Sequence, residues 1–221
     1  MPVYNERETV ERAVQEMLEA DVSDAVELIV VDDGSVDGTT ELLREREWPE
    51  AVRVVFHDRN RGKGAALATA LAEARGTYSA VLDADLEYSP RDLSLLLEPL
   101  RAGIAEAVFG VRGFQAHSAY SFWYVVGNRG VTFLANLVYN SWISDMMTGQ
   151  KAMRTELFRS LPLRERGFAI EAEITARLLG RGIRIYEVPV AYRARSREEG
   201  KKLTAVDGVR VARTLLRCRI R

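Results

Sequence analysis

Residues 26–35 read VELIVVDDGS, a short apolar run that ends in a cluster of turn-forming residues. A run of this kind is typical of a strand that is buried on both faces, as in a parallel sheet covered by helices. Asp32-Asp33-Gly34-Ser35 favours a turn directly after the strand. The stretch therefore predicts an inner strand of a parallel sheet, with two carboxylates at the point where the strand ends.

Helix and strand patterns alternate along the chain on both sides of this strand. Helices are predicted at residues 9–20, 39–46, 64–75, 90–100 and 171–179, and from Ala205 onward. Further strands are predicted at residues 52–56, 78–82, 107–111 and 183–190. Such alternation predicts an α/β, Rossmann-like fold, in which a mostly parallel sheet carries helices on both faces. Residues 118–143 are rich in aromatic side chains and favour one or two helices, either in the core or beside a lipid tail.

Composition restricts the class of protein. The 221 residues favour one domain over residues 1–221. Lys and Arg number 31 against 32 Asp and Glu, which argues against a nucleic-acid partner. The lone Cys218 excludes an internal disulfide framework and fits a reducing cytoplasm. Early charges from Glu6 onward argue against a signal peptide, and no apolar run approaches the roughly 20 residues of a spanning helix. We expect a cytoplasmic protein, free or peripheral on the cytoplasmic membrane face.

Asp83 and Asp85 follow another predicted strand, at 78–82, and flank Ala84. Ligands of open parallel sheets bind beyond the carboxyl ends of the strands. Two carboxylates at such an end, with Glu87 two positions further on, suit Mg²⁺ or Mn²⁺, which prefer oxygen ligands and often hold substrate phosphates as well. The alternative is that these acidic residues only cap a helix or a turn.

Residues 60–64, NRGKG, precede the Ala-rich predicted helix. Lys63 between two glycines at a helix start could receive an anion, or the segment could be a solvated basic loop. The spacing differs from that of a P-loop. His57 and His117 lack the spacing of metal ligands and are interpreted as structural or surface residues. No G-x-S-x-G motif is present, which argues against a serine hydrolase.

Several motifs together resemble a known family. PVYNE (2–6), VDDGS (31–35), NRGKG (60–64) and LDAD (82–85) are similar, in order and spacing, to the motifs of family 2 glycosyltransferases. In the second half, DMMTGQK (145–151), GFAIEAEI (167–174), YRAR (192–195) and EGKK (199–202) resemble the dolichyl-phosphate mannose synthase and polyprenyl-phosphate glycosyltransferase branch. The resemblance covers nearly the whole chain.

The resemblance implies a GT-A fold and a GDP- or UDP-sugar donor, bound with Mg²⁺ or Mn²⁺. It assigns Asp83, Ala84 and Asp85 to the metal and diphosphate, with Glu87 as a further ligand where relatives often have Gln. Lys63 would contribute to donor binding. Arg195 and Lys201 resemble a basic pair that closes over the diphosphate. The residues that would frame the nucleoside are Pro2, Tyr4, Glu6, Val31 and Asp33.

The same resemblance implies a lipid phosphate as acceptor, with Arg112 and Arg129 as its phosphate ligands. A phosphate nucleophile is already anionic at neutral pH and needs positive charge more than a general base. The leading hypothesis is therefore inverting transfer of mannose or glucose to a polyprenyl or dolichyl phosphate. A second hypothesis is transfer to a hydroxyl acceptor, with Glu171 or Glu173 as base. A third is a nucleotide-sugar-binding protein without catalytic activity.

Two expectations concern the ends of the chain. Residues 205–221 predict a basic amphipathic helix, whose apolar stripe beside Arg210, Arg213, Arg217 and Arg221 suits an anionic membrane surface. At the other end, the PVYNE motif of the family follows a full inner strand, whereas only Met1 precedes Pro2. We expect that a shortened first strand leaves two strand edges and an apolar slot between the helical layers, with low stability as the result.

Overall fold

The computed structural model describes residues 1–22, 25–113, 122–195 and 205–220. The strands are β1 (Pro2–Val3), β2 (Leu28–Asp32), β3 (Val52–Phe56), β4 (Tyr78–Ala80), β5 (Ala107–Arg112), β6 (Lys151–Arg154) and β7 (Ile185–Val190). The helices are α1 (Val10–Glu19), α2 (Thr39–Glu45), α3 (Lys63–Glu73), α4 (Leu93–Arg101), α5 (Phe122–Tyr139), α6 (Thr155–Ser160), α7 (Ile170–Gly180) and α8 (Ala205–Ile220), with a 3₁₀ turn at Pro90–Asp92 before α4.

The strands form two adjoining sheets. The first has the order β1-β2-β3 and is parallel throughout. The second has the order β4-β6-β5-β7, in which β5 and β7 are parallel and β6 runs antiparallel to both of its neighbours. The predicted α/β fold with a parallel sheet is confirmed. The antiparallel strand β6 was not predicted, because a charged residue stands at each end of its four-residue sequence, KAMR.

Helices cover both faces of the strands, as predicted. On β5, Val108 packs into the cluster that contains Val14 of α1 and Leu96 of α4. The next residue, Phe109, packs into the opposite cluster, with Ile174 of α7. Successive side chains of a strand point to opposite faces, so this pair shows that β5 is buried from both sides.

A third cluster joins α5, α7 and α8 beside the sheet. Val211 and Leu215 of α8 are buried there, and the hydroxyl of Tyr139 donates a hydrogen bond to the Leu215 carbonyl at 2.8 Å. The opposite side of α8 exposes Val209, Leu216 and Ile220. The predicted apolar stripe of the C-terminal helix therefore faces outward. None of the helices in the described ranges is both long and apolar enough to span a bilayer.

A cavity of about 560 Å³ lies where the two sheets meet. β2 pairs with β3 along its whole length, but with β1 only at Val31 and Asp32. Among the described residues, β4 pairs only with β6, which leaves its other edge without a strand. The lining includes Leu28 of β2 and Tyr78 of β4. The expected apolar slot is thus present, while the expected low stability stays a prediction.

The N-terminal amine of Met1 lies at one end of this slot. It donates a hydrogen bond to the Ile29 carbonyl at 2.8 Å. Burial lowers the pKa of this amine to about 5, only partly offset by the nearby charge of Asp83. The amine is therefore mostly neutral at pH 7.

Candidate active site

A second cavity, of about 390 Å³, lies at the carboxyl ends of the strands, where ligands of open α/β sheets bind. Most of the predicted donor, metal and acceptor residues line it together. They are Pro2, Tyr4, Glu6, Asp33, Lys63, Asp83, Ala84, Asp85, Glu87, Arg112 and Arg195. Residues far apart in the sequence thus meet in one concave site.

Within the described part of the chain, two predicted site residues, Val31 and Arg129, are not brought into this lining. Val31 is fully buried in β2 and packs in a small cluster with Ala66 of α3. Arg129 is exposed on α5, one position after the buried Asn128, and does not line the cavity. Lys201 lies outside the described residues, as does His117. Any role of Val31 toward the donor would have to come from its backbone, because its side chain points into the core.

The two carboxylates after β2 hold loops in place. Asp32 accepts hydrogen bonds from the amide and hydroxyl of Ser35 and from the Thr40 hydroxyl, as the turn interpretation of this segment predicts. Asp33 accepts from the ring of His57 at 2.6 Å and from the backbone amides of residues 61 and 62 at 3.0 and 2.6 Å. His57 is therefore structural, as predicted, and Asp33 fixes the NRGKG loop against the strand end.

The PVYNE segment is held in a similar way. Asn5 has a left-handed backbone, with φ of 53°, which Asn tolerates better than most residues. Its side chain accepts a hydrogen bond from the Val36 amide, and its own amide donates to the Ser35 hydroxyl. The turn at Asn5 thereby separates Tyr4 and Glu6, both of which line the cavity.

Two glycines bring the NRGKG loop close to a neighbouring segment. A Cβ atom on Gly62 would lie 2.3 Å from the Arg166 carbonyl oxygen, and Gly62 also has φ of +92°. A Cβ atom on Gly64 would lie 1.9 Å from the Glu165 carbonyl oxygen. Only glycine fits such approaches. The glycines therefore seat the start of α3, whose first residue, Lys63, lines the cavity.

Asp83 and Asp85 stand at the floor of the cavity. Burial, followed by repulsion from Asp83 and then from Glu87, raises the pKa of Asp85 to about 7. Asp83 lies close against Gly149, where a Cβ atom would be 2.7 Å from the Asp83 Oδ2 atom. Mg²⁺ and Mn²⁺ prefer oxygen ligands, and both side chains offer only carboxylate oxygens. The two aspartates therefore fit the predicted metal.

Glu87 contacts the segment that carries Arg195, and its predicted role as a metal ligand stays a prediction. Its carboxylate accepts hydrogen bonds from the Tyr192 hydroxyl at 2.6 Å and from the Arg195 amide at 2.9 Å. Leu86, between Asp85 and Glu87, has a left-handed backbone with φ of 58°. Within the described residues, no group of three acidic, His or Cys side chains is placed to hold a metal ion. Glu87 anchors the segment that carries Arg195.

Arg195 joins three parts of the site. Its guanidinium donates to Glu6 at 2.9 Å and to the backbone carbonyl of Asp85 at 2.7 Å. The side chain lies at the rim of the cavity and is largely buried. In this arrangement the predicted diphosphate ligand is paired with a residue of the predicted nucleoside site.

A chain of buried charges runs beneath the aspartates. The ammonium of Lys63 lies 2.8 Å from Asp83 Oδ2 and 2.9 Å from Glu171 Oε1. The other oxygen of Glu171 contacts the ammonium of Lys151, which also donates to the carbonyls of Met146 and Thr148. Lys151 is fully buried, and sequence reasoning did not place it in the site. A lysine inside a short strand gives no pattern that could have revealed it.

Both residues that were proposed as a base are engaged in buried contacts. Burial alone would raise the pKa of Glu171, but Lys151 and Lys63 outweigh it and lower this pKa. Glu173 is completely buried and accepts hydrogen bonds from the backbone amides of residues 164 and 165 at 2.7 and 2.6 Å. Glu171 stays ionised between two cations and Glu173 anchors a loop.

Arg112 is built into a buried cluster. Its Nε and Nη2 atoms donate to the two oxygens of Asp145 at 2.6 and 2.8 Å. Its Nη1 atom donates to the hydroxyl of Tyr124 at 3.1 Å, and its guanidinium lies over the ring of Tyr192. Asn128 donates a further bond to Asp145. Arg112 therefore lines the cavity with one edge only, since Asp145 occupies the other.

The fold agrees with that of solved glycosyltransferases of the GT-A class. A glucosyl-3-phosphoglycerate synthase from Mycobacterium tuberculosis, solved with Mn²⁺, UDP-glucose and phosphoglyceric acid, superposes with a TM-score of 0.71 at 24% identity, covering 99% of this chain and 77% of that one. A sequence model described as glycosyl transferase family 2 matches residues 1–161. The chain belongs to that family, as its motifs predicted.

Relatives of the predicted branch are among the matches. The chain is 29% identical over 205 residues to a dolichol-phosphate mannosyltransferase of Pyrococcus furiosus, a match that covers 91% of this chain and 57% of the relative. It is 30% identical over 205 residues to a polyprenol monophosphomannose synthase of Mycolicibacterium smegmatis, covering 88% of this chain and 76% of the relative. The chain thus spans little more than half the length of the first of these proteins.

Proposed function

We propose that this domain transfers a hexose, mannose or glucose, from a GDP- or UDP-sugar to a polyprenyl or dolichyl phosphate, with inversion and with a divalent metal. One observation carries the proposal most directly. The cavity brings an aspartate pair and two arginines together, while its best-placed carboxylate base, Glu171, is held between two lysines. A site that gathers cations around a phosphate-binding floor and lacks a poised base suits an acceptor that is already anionic.

The donor side of the proposal uses the floor and the near wall of the cavity. Tyr4 and Asp33 line the cavity and would frame the nucleoside, and Asp83 and Asp85 line it as well and would hold the metal and the diphosphate. Mg²⁺ or Mn²⁺ held there would neutralise the diphosphate as it leaves the sugar. Arg195, anchored through Glu87, lies at the rim and would cover the phosphates once it releases Glu6.

The acceptor side uses Arg112. Asp145 fixes one edge of the guanidinium, so the Nη1 edge and the hydroxyl of Tyr124 remain on the cavity side. A fixed guanidinium is a good phosphate ligand because its orientation is set before binding. Inversion follows if the acceptor oxygen approaches from the side opposite the departing diphosphate. Arg129, on the exposed side of α5, would meet the acceptor only outside the cavity.

The lipid tail of the acceptor has an apolar surface beside it. The side of α5 that faces away from the core exposes large apolar side chains, namely Phe122, Trp123, Val126, Phe133 and Leu137. Trp142, just after the helix, is exposed as well. Helix α8 packs against α5 and exposes Val209, Leu216 and Ile220 beside Arg210 and Arg213. We propose that these two helices rest on the cytoplasmic face of a membrane, with arginines toward its headgroups.

The hypothesis of a hydroxyl acceptor has less support. It would require a carboxylate base, and both candidates are engaged elsewhere, Glu171 with lysines and Glu173 with backbone amides. The names of the two curated relatives also point to lipid phosphates. One structural neighbour was solved with phosphoglyceric acid, so this compound is the hydroxyl acceptor to compare with a lipid phosphate in the test.

The test is a screen of radiolabelled GDP-mannose, UDP-glucose and related donors against a short polyprenyl phosphate and against phosphoglyceric acid. We expect a labelled polyprenyl product with Mn²⁺ or Mg²⁺ and none with EDTA. The Asp85→Ala variant should lose turnover while its circular dichroism spectrum is unchanged, and Asp58→Ala, at an exposed position, serves as the matched control. Transfer to phosphoglyceric acid alone, or full activity in EDTA, would overturn the proposal.

A further inference from the structure

Lys63 occupies the place next to Asp83 that a metal ion would need. Its ammonium lies 2.8 Å from Asp83 Oδ2 and 2.9 Å from Glu171 Oε1. The Lys63 side chain is largely buried, so its ammonium is held between these two carboxylates and mostly away from water. The carboxylate of Asp83 also lies near the backbone of Gly149, where a Cβ atom would be 2.7 Å from its Oδ2 atom.

We propose that Lys63 is a resident counter-ion of the donor site, which blocks Asp83 from binding a metal ion until a nucleoside diphosphate takes over the ammonium. The inference rests on the proposed metal-dependent donor site and adds an order of binding to it. A metal ion that enters alone must displace an ammonium held by two carboxylates. A metal ion that enters with a diphosphate brings phosphate oxygens for Lys63 and leaves the local charge nearly unchanged.

The anchor of Lys63 makes the exchange possible. Glu171 is fixed from below by Lys151, whose ammonium is also held by two backbone carbonyls. When Lys63 releases Asp83, it keeps Glu171 as a partner and need not become an unpaired buried charge, which would be costly. Lys63 thus can exchange one oxygen partner for another within the reach of a single side chain.

The experiment measures Mn²⁺ binding without any nucleotide, by the electron paramagnetic resonance signal of free Mn²⁺. Lys63→Met removes the competing charge, and the affinity for Mn²⁺ should rise by about tenfold or more. Lys63→Gln keeps a hydrogen-bond donor near both carboxylates and should shift the affinity in the same direction, which covers the case that Lys63→Met does not fold. Arg61→Met is the matched control, since Arg61 is an exposed cation two residues away.

A second arm adds UDP or GDP. In the wild-type protein the nucleotide should strengthen Mn²⁺ binding markedly, and in Lys63→Met the gain should be much smaller. Adding Asp83→Ala to Lys63→Met should abolish the tighter binding. The inference is overturned if both Lys63 variants bind Mn²⁺ no more tightly than Arg61→Met does. If they bind it more tightly but neither nucleotide strengthens Mn²⁺ binding to the wild type, the block by Lys63 stands and its release by a nucleoside diphosphate is overturned. The proposed function is tested separately, by the donor screen.

Discussion

Asp145 holds Arg112 in position at the wall of the active-site cavity. It is completely buried, and both of its oxygens accept bonds from Arg112. Replacing Asp145 by Asn would leave a buried guanidinium without its counter-charge. We expect a loss of about 3–5 kcal/mol in the free energy of unfolding at pH 7. Urea unfolding checks this, and Asp58→Asn, at an exposed position, should change stability by less than about 0.5 kcal/mol.

The effect of Asp145 should also depend on pH. Burial would raise the pKa of Asp145, but the hydrogen bonds and charge of Arg112 outweigh it and lower this pKa below the ordinary value of 3.8. The stability that the ionised group contributes is present above pH 3.8 and is lost as the pH falls through the lower, folded-state pKa. The stability difference between wild type and Asp145→Asn should therefore narrow below about pH 4. A difference that stays constant down to pH 3 would contradict this account.

Gly149 has a similar local role on the metal side. A Cβ atom there would lie 2.7 Å from Asp83 Oδ2 and 3.1 Å from a ring carbon of Tyr88. Gly149→Ala should push the Asp83 carboxylate aside and lower kcat by about tenfold to a hundredfold. Gly130→Ala is the control, since its Cβ would meet nothing within 4 Å on α5 and should leave turnover unchanged. Equal activity in the two variants would show that Asp83 tolerates the shift.

Single residues also show where sequence reasoning succeeds and where it ends. Asp83 and Asp85 were predicted to share a site because their position at a strand end fixes where they lie. Glu87 was added as a third ligand from its position alone, and that role stays a prediction. Nothing in the sequence reveals that its carboxylate accepts a hydrogen bond from the hydroxyl of Tyr192. Lys151 was missed for a related reason. Its partner Glu171 is 20 positions away, and only the folded chain brings them together.

At the scale of elements, apolar runs predicted the parallel strands and most helices, while short or polar elements escaped. β3 was predicted with its observed bounds, since VRVVF between turn signals has the pattern of a strand. β6 and α6 escaped because each is brief and carries charges that the fold pairs or exposes. The sequence pattern also could not show which side of α8 packs against the core. The helix has apolar residues on two sides, and only packing shows that Val211 and Leu215 face the core.

The exposed stripe of α8 leads to a prediction about membranes. Leu216 is 49% exposed and Ile220 is 85% exposed, so changing both to Asp should leave the core intact. We expect the double variant to lose most of its binding to anionic liposomes in flotation, because it removes apolar contact and adds negative charge. Val36→Asp is the matched control, at a position that is 81% exposed on a different loop. Unchanged flotation of the double variant would remove α8 from the proposed membrane surface.

At the scale of the whole molecule, the two sheets adjoin between the helices that cover their two faces, but a slot is left between them. The edges of β2 and β4 face this cavity of about 560 Å³, and its walls carry Met17, Leu71 and Phe158 from the helices around it. Unpaired backbone edges and unfilled apolar volume both reduce stability. The active-site cavity lies at the other end of the same strands, so a better-filled slot should stabilise the floor that carries Asp83.

A strand added in line with β1 should fill the slot. A version with five apolar, β-branched residues ahead of Met1 can pair with both edges and bury those side chains, which should raise the free energy of unfolding by roughly 3 kcal/mol. For a chain of this size that corresponds to an increase of about 6–12 °C in Tm. The control carries five residues of Gly, Ser and Pro at the same place. Both extensions convert the buried amine of Met1 into an amide. The difference in Tm between them, measured by calorimetry, therefore gives the stabilisation that comes from filling the slot. Equal Tm values for the two extended chains would show that the slot does not accept a strand.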